Sequence, residues 1–465
     1  MKKISLVCFL FVLSSFCSAQ QYSLYNSRTL FDTFENSSQR AFQIDTSRRY
    51  AFNFFIPTIS VNTTFTGPSQ EAFRLLVFKS KVSSDVPFGG KDNVLAAHTN
   101  NYLLMFRLLK AVKGEKEMGF SWQLRNDTYI RASNETFAVF SDLDKFTEAG
   151  YSNIFNNKGY NQLYNQFSFS YRANYSRRMG LGAKLSFLNG LAYNKLRIDS
   201  SSLTFNETTD QAVLNLRGQY QSNFGQQEPE KKDFYPSLKN PGASITLSAN
   251  YKFRDGWYAI GNIKDLGFIK WSKDSYEYNF NGTGTTNNPN SNRADDDLIE
   301  DLVDQIGDIE SQGSFLSPTN AKAEILINKD FNNYQPNLIL SKNLFYPGGD
   351  IAFINNYRYR NLVLTLSSAY NLNNFLQLGG QVMIKSPNFE LYMGTDQFSQ
   401  TRTAARNFIN EETEGNGHTA ASVYFGFAVK FGTVLEHQHN ATRIPGFEEK
   451  GTRGGFIKRL FSKKK

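Results

Sequence analysis

The chain is poor in the residues that most enzymes and small secreted domains depend on. In 465 residues there are two cysteines, three tryptophans and four histidines. Both cysteines, Cys8 and Cys17, precede residue 20. The chain after them has no thiol for a disulfide or a thiolate metal site. Beyond the N-terminus no apolar run approaches the roughly 18 residues of a membrane helix, which excludes a helical membrane protein. There is no phosphate-binding Gly-rich loop ending in Lys-Ser/Thr, no His-Glu-x-x-His and no Gly-x-Ser-x-Gly. With only His98, His418, His437 and His439 to draw on, histidine catalysis has few candidates, and no catalytic residue or cofactor is expected. Glu436-His437-Gln438-His439 and Asp295-Asp296-Asp297 read as a solvated tail and an acidic helix start rather than as metal sites, because the spaced ligands and turn glycine of a hard-cation loop are missing.

Aromatic residues, by contrast, reach 15%, with 42 Phe and 24 Tyr, while mean hydropathy is −0.45. Disordered chains are poor in aromatics. A chain both aromatic and polar on average fits a soluble all-β protein or a membrane β-barrel, where apolar and polar positions alternate. The N-terminus favours the second. Met1-Lys2-Lys3 is cationic, Ile4 to Phe16 is apolar, and Cys17-Ser18-Ala19 is a small-residue exit, so residues 1–19 read as an export signal. A lipoprotein signal would want a small residue where Phe16 stands before Cys17.

Period-two stretches run along most of the chain. In Gln166–Ser176, Phe167, Phe169, Tyr171, Ala173 and Tyr175 alternate with Ser168, Ser170, Arg172, Asn174 and Ser176. Ile245–Phe253, Leu214–Tyr220, Phe375–Lys385 and Ser422–Phe431 behave alike. A soluble sandwich would alternate too, with its apolar face inward. Segments of about nine to eleven residues suit a tilted strand crossing a bilayer, and short turns such as Arg254-Asp255-Gly256 alternate with long polar excursions at 223–241, 281–318 and 397–418. The expected fold is therefore all-β: a transmembrane antiparallel β-barrel of about fourteen strands, between twelve and sixteen, with one or two short helical inserts. Helical spacing marks those inserts at 133–150 and 295–306. Tyr50–Gly67 and Trp257–Tyr278 each read as one long strand, and Gly267 as a bend or bulge in the second.

The segments Asp265-Leu266-Gly267-Phe268-Ile269-Lys270-Trp271, Glu390-Leu391-Tyr392-Met393-Gly394-Thr395-Asp396 and Phe55-Ile56-Pro57-Thr58-Ile59-Ser60, with the acidic-apolar insert at 295–310, resemble a family of outer-membrane β-barrels of unknown function common in Bacteroidota. That family is distantly similar to barrels of the long-chain fatty-acid transporter type. The resemblance implies a barrel over most of residues 21–431 and supplies no catalytic residues.

If apolar positions face lipid, Arg125, Arg172, Lys184, Arg217, Lys252, Lys322, Lys385 and Lys430 point into the lumen, with Asp127, Glu324 and Glu390 as acidic counterparts. An open lumen so lined would favour anions. Residues 20–48 are available instead as a periplasmic or plug segment, and the barrel is assigned to 49–431. The tail 432–465 holds eight Lys/Arg and three Glu, a net +5 of the chain's +9. In an exported protein this basic tail points to anionic outer-membrane lipid or to an acidic periplasmic or outer-membrane protein, not to nucleic acid. The expected function is passive transport of small or lipophilic solutes across the outer membrane; the alternative is a non-conducting structural or assembly component.

Overall fold

The computed structural model describes residues 22–40, 48–81, 86, 88–89, 92–110, 116–139, 143–206, 208–224, 238–289, 291, 294–307, 311–386 and 388–434. The expected export signal at 1–19 and the tail beyond Val434 lie outside them.

One antiparallel sheet closes on itself as a barrel of fourteen wall positions. The first position is shared by two short strands, β1 (Arg48–Phe52) and β2 (Ile59–Thr66). Both lie between β3 (Asp92–Lys110) and the last strand, β19 (Thr419–Val434). From β3 the wall continues through β4 (Lys116–Ser133), past the short β5 (Gly150–Ser152), to β6 (Lys158–Asn174) and β7 (Met179–Asn206). Beyond β8 (Gln211–Ser222) it resumes with β9 (Pro241–Lys252) and β10 (Trp257–Lys270). β11 (Tyr276–Asn287) and β12 (Leu316–Pro318) interrupt it before β13 (Lys322–Lys329) and β14 (Tyr334–Asn343). Then follow β15 (Gly349–Tyr359), β16 (Leu362–Asn371), β17 (Phe375–Ser386) and β18 (Phe389–Thr395), which pairs with β19.

The faces are inverted relative to a soluble protein. On β17, Leu376, Leu378, Val382 and Ile384 are exposed outward while Gln377 and Gln381 are buried inward. On β6, Phe169 is 52% exposed while Ser168, Ser170 and Arg172 are buried. The same holds on β9, where Leu247 and Tyr251 face out and Thr246, Ser248 and Asn250 face in. An apolar belt around a polar interior cannot be stable in water, and it matches the hydrocarbon core of a bilayer.

The strands β7, β8 and β11 explain where the sequence pattern misleads. β7 runs for 28 residues. Its first part, Met179–Asn189, pairs with β9 in the wall, and its second, Asn194–Asn206, pairs with β8, which pairs with β11. These three form a flap beyond the long-loop rim. Its apolar side is inward-packed in the soluble manner, with Leu203, Leu214, Leu298 and Leu302 in one buried cluster. Helix Ala294–Gly307 lies so close to β11 that a Cβ at Gly284 would overlap the Leu298 carbonyl. Two expected strands are also shorter than their pattern. Trp257–Tyr278 divides into β10 and the start of β11. Tyr50–Gly67 breaks between Phe52 and Ile59, where Phe54 and Phe55 take left-handed φ of 51° and 58° and Pro57 lacks an N–H.

Among the described residues there are five α-helices rather than one or two. Both expected inserts are helical, at Asn134–Val139 and Ala294–Gly307. The others are Leu30–Glu35, Gln70–Lys79 and Phe398–Asn410. The last two sit in loops at the long-loop rim.

Candidate functional site: a filled lumen

Residues 22–40 lie inside the barrel, and nearly all of them are buried. Their one helix, Leu30–Glu35, is capped locally by Thr29, whose Oγ1 accepts from the Asp32 N–H at 3.1 Å. The wall adds a second cap: Glu390 on β18 accepts the Leu30 N–H at 2.7 Å, a carboxylate at the positive end of a helix.

The helix is amphipathic with respect to the lumen. Leu30, Phe31 and Phe34 join Leu24 in an apolar cluster with Ala51, Tyr102, Met105, Met383, Tyr392, Tyr424 and Ala428 of the wall. Two glycines let the tyrosines lie flat: Tyr392 occupies the space over Gly426, and Tyr424 that over Gly394. On its other side the plug is held by polar groups. Arg107 Nη1 donates to the Thr33 carbonyl at 2.9 Å while its Nε pairs with Glu117 at 2.8 Å. Arg172 Nε donates to the Ser38 carbonyl at 2.8 Å, Lys385 Nζ to the Ser27 and Arg28 carbonyls at 2.5 and 2.9 Å, and Tyr22 OH to Asp350 at 2.6 Å. The plug backbone also touches β7, because a Cβ at Gly182 would overlap the Ser37 carbonyl.

An ion network beneath the plug is built by a bulge in β10. Register slips between Ile263 and Leu266, and Asp265 takes a left-handed φ of 49°. A bulge turns two successive residues to one face, so Lys264 and Asp265 are both buried inward while Ile263 and Leu266 are exposed. Asp265 gathers four neighbouring strands. It pairs with Arg125 of β4 and with Lys184 of β7 at 3.1 Å, and accepts from Gln166 of β6 at 2.8 Å and Thr246 of β9 at 3.2 Å. Lys264 bridges Glu35 of the plug at 2.8 Å and Glu324 of β13 at 3.2 Å. Glu35 in turn accepts from Tyr102 and Asn100, each at 2.8 Å. Arg107, Glu117, Lys264 and Glu35 were not among the residues expected in the lumen, and Asp265 entered only as part of a segment carrying the family resemblance. Adjacent charges in the middle of an apolar strand, Lys264-Asp265, were the available signal.

Of the residues expected to line the lumen, Arg125, Arg172, Lys184, Lys322, Glu324, Glu390 and Lys430 are buried and face inward, as is Asp127, and Lys385 is half-buried at the plug. Lys252 lies on the inward register of β9 but is exposed at the short-turn rim. Arg217 is not in the lumen: it is exposed on β8, in the flap, because period two does not distinguish a wall strand from a flap strand. Gly267 is not itself the bulge; it is two residues beyond it, pressed against the Ala243 carbonyl of β9. His437 and His439 lie outside the described residues. Among the described residues no group of three His, Cys, Asp or Glu could hold a metal ion.

Fold and lumen together define a transmembrane-type barrel whose interior holds its residues 22–40. A family model described as a family of unknown function, DUF5723, matches residues 41–396, and the chain belongs to that family. No curated protein matches the sequence. Among solved structures the chain is similar to the toluene transporter TodX of P. putida, at 7% identity and a TM-score of 0.37, over 83% of this chain and 90% of that one. It is also similar to the Ralstonia pickettii toluene transporter TbuX, at 9% identity and a TM-score of 0.36, over 83% and 90%. A deletion mutant of TodX, a monoaromatic hydrocarbon channel, gives 8% and 0.39 over 84% and 91%.

Proposed function

We propose that the protein is an outer-membrane channel for small lipophilic solutes, closed at rest by residues 22–40. The observation that carries this reading is the lapse in the wall. The ladder between β19 and the first strand stops at Phe52↔Val429 and resumes at Ile59↔Phe425. The intervening Phe54, Phe55 and Ile56 are exposed outward. Directly inside lie Tyr102, Met105, Tyr424 and Ala428, the apolar part of the lumen, covered by Leu30, Phe31 and Phe34 of the plug. An apolar solute held there faces the bilayer across a stretch of wall that is bonded to β3 at Asn53 and Thr58 but has no ladder to β19, and need not pass the ion network. A second reading, a non-conducting scaffold, draws support from the plug's many polar contacts.

The test is uptake of a hydrophobic fluorophore by cells with a lipopolysaccharide outer leaflet, which resists such probes. Expression of the protein should speed entry, and joining residues 52 and 59 by a short continuous strand in place of 53–58 should abolish the gain. Equal uptake with and without the protein would leave the scaffold.

A further inference from the structure

Between the plug and the short-turn end of the barrel lies a second cavity, of about 150 Å³. It adjoins the apolar lumen patch through Met383 and Val363, and none of the residues of the ion network around Asp265 lines it. Its charged lining is of one sign: Arg28 of the plug, Arg358 and Arg360 at the β15–β16 turn, Lys385 of β17 and Lys430 of β19. Ser23, Ser27, Asn361 and Ser386 supply neutral donors around them. Behind this lining Asp32 accepts from the Arg28 N–H and Asn36, while Glu390, which accepts from the Leu30 N–H, lies close enough to Lys385 and Lys430 to offset part of their charge, so the excess charge rests on the arginines.

Among the described residues neither Arg28 nor Arg358 forms an ion pair with a carboxylate, whereas the lysines of the lining are engaged. Lys385 donates to two carbonyls of the plug. Arg358 donates to the neutral Gln335 at 2.6 Å, and Arg360 lies over the Tyr359 ring at 5.4 Å. The Arg28 guanidinium makes no hydrogen bond or ion pair with a described residue, and it is close enough to Arg358 and Lys385 to repel both. Arg28 and Arg360 also hold left-handed φ of 55° and 53°. For Arg360 that φ is what the two-residue hairpin turn between β15 and β16 demands.

We propose that this cavity binds a phosphate-class anion, which bridges Arg28 of the plug to Arg358 and Lys385 of the wall and so holds the plug in place. Guanidinium forks match phosphate oxygens two at a time, and a cluster of like charges in a partly dry cleft concentrates the opposite ion. The lining side chains face the lumen rather than the lipid, which favours a small soluble phosphate compound over a lipid headgroup. Binding here does not depend on whether a solute crosses the barrel.

The experiment uses the full-length protein in detergent. Inorganic phosphate and glycerol phosphate are compared with chloride at matched ionic strength, with binding read by phosphorus NMR and plug retention by the urea midpoint of unfolding. Phosphate should bind saturably and raise the midpoint. Arg358→Gln and Arg28→Gln should each weaken binding about tenfold, the effect of one charge-assisted contact, while Arg254→Gln at a neighbouring turn should not. A response seen only with phosphatidylglycerol vesicles, and lost in the same variants, would assign a lipid headgroup and overturn the soluble source. Equal effects of phosphate and chloride, or variants that bind as the parent does, would refute the site.

Discussion

Replacing Asp265 by asparagine isolates the charge at the centre of the wall network. Asparagine tolerates the left-handed backbone at this position nearly as well as aspartate, so the bulge is preserved. Its carbonyl can still accept from Gln166 or Thr246. What is lost is the countercharge of Arg125 and Lys184, whose side chains are 10% and 2% exposed. Removing one partner of such a buried pair costs about 3–5 kcal/mol, because the remaining cation is stranded away from water. The matched control lies on β7, where Arg197 and Asp199 pair at 2.9 Å with both side chains about half exposed. There Asp199→Asn should cost no more than about 1 kcal/mol. The assay is urea unfolding followed by tryptophan fluorescence, since Trp257 and Trp271 bracket β10 and the third tryptophan, Trp122, is on β4, the strand that carries Arg125. Adding Lys184→Met to Asp265→Asn should recover part of the loss by removing the stranded charge. If Asp265→Asn and Asp199→Asn unfold at the same urea concentration, the network is not what ties these strands together.

Further outcomes test the plug, the faces and the tail. Gly182→Leu should leave the barrel folded but expel residues 22–40, since the side chain would occupy the place of the Ser37 carbonyl; raised single-channel conductance would show it, and a closed barrel would contradict it. Phe169→Arg should impair insertion by roughly 2–4 kcal/mol near the midplane, whereas Arg172→Leu should insert normally and lose inward contacts such as those to Ser38 and Asn174; folding yield into vesicles separates the two. Burial pushes the Asp32 carboxyl up to about 6. Its protonation therefore favours the docked plug, a gain complete below about pH 4 and lost as pH rises through about 6, so the fall in urea midpoint between pH 5 and pH 7 should be smaller in Asp32→Asn. A chain ending at Val434 keeps every described wall strand and should insert, but should lose salt-sensitive retention on anionic vesicles, about 1 kcal/mol per charge near the surface.

The wall was legible because its rule is local. Leu376, Leu378, Val382 and Ile384 declare one face of β17 without reference to any other residue. Period two also identifies a strand in the flap, and there it fails to say which way the strand faces. Leu214 alternates with Asn215 as Leu376 does with Gln377, yet Leu214 packs inward against a helix from residues 294–307. Only the partner decides, and the partner is about eighty residues away. The bulge at Asp265 is illegible for a related reason. A bulge shows in the sequence as a break in alternation, but Lys264-Asp265 could equally have ended the strand. The break at 53–58 had a stronger local signal in Pro57, overridden by the apolar residues around it.

The two kinds of contact that hold the plug have different consequences for opening. Polar contacts such as Arg172 with Ser38 exchange for water at small net cost, of order 1 kcal/mol each. The apolar contacts do not. Exposing Leu24, Leu30, Phe31 and Phe34 to water would cost roughly 6–12 kcal/mol at about 1.5–3 kcal/mol per side chain. That is enough to keep the barrel shut against thermal motion. A polar solute entering the lumen can replace the polar contacts but offers nothing to the apolar ones. A lipophilic solute can take the place of the helix against Tyr102, Met105, Tyr392 and Tyr424 and supply the same burial. A ligand moves such an equilibrium only by as much as it prefers one state. On the proposed channel function the preference would belong to apolar molecules, and the break in the β19 ladder would give such a molecule, once bound, a short path to the bilayer.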